Sequence, residues 1–179
     1  RVYRQTHEAE IAPTKSEIAI ATAHFDKKHR ERIRGQESEL RGKLKAVEEE
    51  LASKELKEED KQKLEIERRT LQSKLKPPGR SFALFVLRNW KLQRHLYDEY
   101  GGGRILWQQA GLEAFDATRK WLESLEKAGK FKIADPTLQT AFYEYWTTQK
   151  HGAFLTDDEI RIRREFLEPQ WRKGLSPQK

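Results

Sequence analysis

The sequence predicts a mainly α-helical protein: a helical body carrying an antiparallel helical hairpin, with room for a minimal two-strand β element. Three observations predict it. Apolar residues recur at three- and four-residue spacing through most of the chain. Helix-starting and helix-stopping residues punctuate that pattern. The only strand-like runs, Ile105-Leu106-Trp107 and Phe131-Lys132-Ile133, are very short.

The hairpin is expected within Gln36 to Lys76. Leu40, Leu44, Val47 and Leu51 make a narrow apolar seam in a field of Glu, Lys and Arg, and Leu64, Leu71 and Leu75 make a second. The seam loses register between Ala52 and Asp60, so a turn near Ser53 to Lys57 that folds one seam onto the other fits better than an unbroken rod. The expected organisation is a single domain over residues 1–179, with this coiled-coil-like arm (36–76) inserted between body helices at 15–35 and 82–168.

Residues 1–12 read as an extended lead-in. Thr14 and Glu17 fit a capping box, with Ser16 as a competing cap. Ile18, Ala21, Phe25 and Ile33 then continue a stripe into Leu40, with Gly35 and Gly42 as candidate bends. The returning helix, about 58–76, is stopped by Pro77-Pro78-Gly79. Ser81 opens a core helix at about 82–99, apolar nearly all round in its early turns and ended by Gly101-Gly102-Gly103. Residues 112–128 form an amphipathic helix with Gly129 at the C-cap. Asp135-Pro136 starts the next helix. Thr156 and Glu159 fit a last capping box, and Pro169 stops that helix. Residues 104–108 and 130–133 would pair, if at all, as parallel strands around the 112–128 helix.

Composition narrows the function. The chain has 179 residues, 36% hydrophobic, and its mean hydropathy is -0.96. All five Trp lie in residues 82–171, so the core belongs mainly to the second half. Net charge is +7, spread along the sequence rather than concentrated as a nucleic-acid footprint would be. The absence of Cys excludes disulfides and thiolate chemistry within these residues. No run reaches the roughly 18 apolar residues of a membrane span. The absence of both Met and Cys is the ground for expecting a processed product, exported or periplasmic, or a trimmed fragment.

No catalytic motif stands out. The glycine run follows a helix instead of linking strand to helix, and no Gly-Lys-Ser or Gly-Lys-Thr accompanies it. His7, His24, His29, His95 and His151 show no zinc spacing, so no metal or cofactor is expected; a site would need His7 and His24 to converge with a carboxylate. The binding candidates are Trp90, Arg94, His95, Tyr100, Arg104, Trp107, Gln108 and Gln109, which combine aromatic faces, cations and amides. The expected function is a non-catalytic interaction, scaffold or chaperone-like domain that uses the helical arm and an aromatic-lined surface of the body to hold a protein or peptide, self-association included. The alternatives are nucleic-acid binding by the basic residues of 82–104, and a small enzyme with a site near 100–109.

Overall fold

The computed structural model describes residues 2–52, 56–108, 111–146, 154 and 159–174. It is mainly α-helical, with one two-stranded antiparallel sheet. The chain forms two compact units: residues 22–83, and residues 1–21 with 84–179.

The 22–83 unit holds the end of α3 (Lys15–Ile33), then α4 (Glu37–Leu51), α5 (Glu58–Leu75) and the first residues of α6 (Gly79–Glu99). The helical stripe expected to run from Ile18 into Leu40 breaks at residues 34–36, so Gly35 marks the bend and Gly42 stays helical. α4 and α5 pack together; with only a short link between them, they run antiparallel. The seam is as thin as its leucine spacing implies. Val47 and Leu71 are buried, while Leu40, Leu44, Leu51, Leu64 and Leu75 are half-buried. The outer faces carry helix pairs such as Glu37–Arg41 at 2.7 Å and Glu39–Lys43 at 2.6 Å, which solvate the hairpin more than they stabilise it. Of the expected turn, residues 53–55 lie outside the described residues.

The other unit is assembled around α6. Two short helices precede α3: α1 (Val2–Thr6) and α2 (Glu8–Ile11). This corrects the extended lead-in expected for residues 1–12. The cause is tertiary: Tyr3 is buried, with Trp121 and Tyr100 edge-on to its ring at 5.2 and 6.5 Å, and packing overrides weak local propensity. The capping box at α3 forms as expected. Thr14 N–H donates to Glu17 Oε2 at 2.7 Å, and Glu17 N–H donates to Thr14 Oγ1 at 3.1 Å.

The sheet pairs β1 (Ile105–Gln108) with β2 (Gly111–Ala114), Ile105 opposite Ala114. The second strand is therefore not 131–133, and the pair is antiparallel. Gly111 takes φ +116°, a backbone conformation that favours glycine. Strand alternation sends Ile105, Leu112 and Ala114 into one core cluster with Tyr3, Leu96 and Phe166, and sends Leu106 into another with Phe115 and Trp146. Phe154 forms an isolated antiparallel bridge with Leu106.

α7 (Phe115–Lys127) ends at Gly129, φ +67°, with Lys130 N–H donating to Leu125 O; this is a Schellman closure. α8 (Pro136–Tyr145) is capped by Asp135, whose carboxylate accepts from Thr137 and Leu138 N–H. α9 (Glu159–Ile162) runs into a π-helical turn, Arg163–Leu167, and a 3-10 turn follows at Gln170–Gly174. Thr156 of the last expected capping box lies outside the described residues.

The hairpin seam predicts a contrast. Leu71→Ala should destabilise the 22–83 unit by about 2–3 kcal/mol. Ile66→Ser, at a site 66% exposed, should change stability by no more than about 0.5 kcal/mol. Urea unfolding followed by circular dichroism checks both; equal effects would contradict the seam.

Candidate functional site

The 22–83 unit contains a groove of about 650 Å³. α3 supplies one wall through Phe25, Lys28, His29 and Arg32, whose spacing of three, one and three places them on one helix face. The end of α5 and the proline stop supply Ser73, Lys76, Pro77 and Pro78, and α6 supplies Phe82. Phe25 and Phe82 meet edge to face at 5.3 Å, yet Phe82 keeps 44% of its surface exposed. Asp26 fixes the return of the chain, accepting from Gly79 N–H at 3.0 Å.

His29 ties the walls together. Arg32 Nη2 lies 3.2 Å from Nδ1, and Leu75 O lies 3.4 Å from Nε2. A guanidinium only donates and a carbonyl only accepts, so Nδ1 carries the lone pair and Nε2 the proton. The lining then offers Lys28, Arg32 and Lys76 as cations and contains no Asp or Glu. The exposed Glu31, 3.6 Å from Lys28 Nζ, stands outside it.

Among the described residues, the site residues expected from sequence do not gather into one site. Trp90 Nε1 donates to Phe166 O at 2.7 Å, with Trp171 edge-on to its ring. Arg94 pairs with Asp98 at 2.7 Å and donates to Leu167 O. Tyr100 packs at Tyr3, and its carbonyl accepts from Lys120. Trp107 is 50% exposed on β1, and Gln108 is half-buried opposite Gly111. Gln109 and His151 lie outside the described residues. Lys91, from the same basic run, is spent on Glu17 at 3.0 Å.

His95 belongs to a different cluster, which sequence reasoning missed. Its Nδ1 lies 2.5 Å from the Tyr3 hydroxyl and 3.4 Å from Glu99 Oε2. Tyr3 donates to Glu99. The His7 ring sits 4.6 Å from the His95 ring, centre to centre. One ring nitrogen of each histidine and one Glu99 oxygen lie within 4.8 Å of one another. His7 meets His95, not His24. The sequence signal was present: His95 and Glu99 are four apart and so share a helix face.

Arg104 is not a free anion-binding cation. Its side chain donates to both Asp116 oxygens at 2.8 to 3.1 Å and to Trp146 O at 3.0 Å. Its own N–H donates to Asp116 Oδ2 at 2.7 Å. The glycine run makes this approach possible. Gly101 ends α6 at φ +75° with Gly102 N–H on Tyr97 O, and a Cβ on Gly103 would stand 2.6 Å from Asp116 Cβ. Burial pushes the Asp116 carboxyl up, but the Arg104 hydrogen bonds and charge outweigh it and hold the group below its ordinary value.

A carboxyl lowered in this way stabilises the fold above its unfolded-state value, and that stability is lost as pH falls through the folded value. Asp116→Asn should therefore cost about 1–3 kcal/mol near neutral pH, and its difference from wild type should shrink below about pH 4. Gly103→Ala should cost more than about 1 kcal/mol. Urea unfolding across pH checks both, and a pH-independent Asp116→Asn difference would contradict the pairing.

Compared with protein-family models, curated proteins and solved structures, the chain matches none.

Proposed function

We propose that this chain is a non-catalytic protein-interaction domain whose 22–83 unit holds an acidic peptide segment of another protein. The observation that carries the reading is the groove beside the hairpin: an aromatic and proline floor, three cations and no acid in its lining. Phe25, Phe82, Pro77 and Pro78 provide apolar surface for one anchoring side chain. Lys28, Arg32 and Lys76 select carboxylates on either side of it and raise the encounter rate. The occupant is thus a short segment with an apolar anchor flanked by Asp or Glu.

Three of the four Lys and Arg residues of 82–104 do not favour the nucleic-acid alternative. Lys91, Arg94 and Arg104 are each within 3.0 Å of a carboxylate oxygen. A phosphate would have to displace that partner.

Selection of a displayed random-peptide library against the full chain tests the reading. Enriched peptides should be acidic with one apolar anchor. Their affinity should fall with salt, drop about tenfold or more in Phe82→Ala, and weaken in Lys76→Glu. Enrichment of basic or uncharged peptides, or binding indifferent to both substitutions, would overturn it. So would self-association that buries the groove in place of a peptide.

A further inference from the structure

The second cluster, in the other unit, carries an inference that does not depend on the groove. We propose that His7, His95 and Glu99 form a binding site for a divalent transition-metal ion, with zinc as the occupant that suits the donors. Two imidazoles and one carboxylate are a donor set for zinc and its first-row neighbours, whereas calcium and magnesium prefer oxygen alone.

The geometry supports the site on three points. First, His95 Nδ1 and Glu99 Oε2 are 3.4 Å apart. Two donors at about 2.0–2.1 Å from one tetrahedral ion stand about 3.4 Å from each other. Four residues apart on α6, they form a half-site on a rigid helix. Second, His7 comes from the unit's N-terminal segment, ahead of α3, and its ligand atom lies within 4.8 Å of the other two. The widest pair needs to close by about 1.5 Å, a movement within reach of a side-chain rotation beside the four-residue α2.

Third, His7 has an outer partner. His7 Nδ1 lies 3.4 Å from Glu10 Oε2; a carboxylate on one imidazole nitrogen orients the ring and leaves the other nitrogen for a metal. The Tyr3 hydroxyl bridges His95 Nδ1 and Glu99, so an ion held by those two atoms replaces that bridge, and His95 Nδ1 gives up its proton on binding the ion. The ligand side chains are 24%, 29% and 39% exposed for His7, His95 and Glu99. An ion can therefore enter, and water can complete the coordination. A bound ion would clamp α2 to α6 and stabilise the folded chain in proportion to its occupancy.

Equilibrium dialysis of the tag-free, chelator-washed full chain against Zn²⁺ tests the proposal, with Co²⁺ absorption as a second readout. One ion per chain is expected, together with visible Co²⁺ ligand-field bands and a Zn²⁺-dependent rise in the thermal midpoint. His7→Ala and Glu99→Gln should each weaken binding by about tenfold or more and lose that rise. His24→Ala should bind as wild type. Substoichiometric binding, or affinity unchanged in both ligand variants, would overturn the site. Should either variant prove unfolded without metal, the wild-type spectrum decides: absence of Co²⁺ bands at equimolar metal would overturn it equally.

Discussion

Asp116 is a partly buried carboxylate, and a charge in that position must be paired. The pairing organises its surroundings. Arg104 meets the carboxylate through both its guanidinium and its backbone N–H, and the same guanidinium reaches the Trp146 carbonyl. One interaction thus fixes the entry to β1, the first turn of α7 and the end of α8. It also determines the residue before it, because any side chain larger than hydrogen at Gly103 would collide with Asp116. The glycine run that resembles a phosphate loop in sequence is a helix closure followed by a close backbone approach.

Local chemistry was legible where a cap or a stop is decided by a few neighbouring residues. Thr14 with Glu17, Asp135 with Pro136, and Gly129 each do in the structure what their side chains or φ freedom allow. The leucine spacing gave the hairpin for the same reason, since a seam is a periodic property. Two readings failed where the decision was made at a distance. Residues 2–11 are helical because Tyr3 is buried among partners from α6 and α7. Gly111–Ala114 is a strand, where a helix start was expected, because the adjacent Ile105–Gln108 offers it a hydrogen-bonding edge. The 131–133 run had better strand residues but did not join the sheet.

The candidate site was less legible than the fold, and charge explains why. Counting cations over residues 82–104 marks Lys91, Arg94 and Arg104, among others, as a basic surface. Their value depends on acids that the sequence places elsewhere: Glu17, Asp98 and Asp116. Only Asp98 lies on the same helix face at a spacing that could be read directly. The cluster at His95 was hidden in the same manner, since Tyr3 approaches from 92 residues away.

The groove inverts this relation. Lys28 and Arg32 sit on α3, where they read as ordinary solvated charges, and Lys76 precedes a proline stop, where it reads as punctuation. Folding brings them around Phe25, Phe82 and two prolines without bringing an acid into the lining. A cation beside a carboxylate has little further attraction to offer, because its field is already answered at short range. Lys28 has the exposed Glu31 3.6 Å away, a longer and more screened contact than the pairs of Lys91, Arg94 and Arg104, so the three cations of the concave, partly apolar lining keep more of their field. The number of positive residues therefore says less about a partner than whether the fold leaves them an unanswered field.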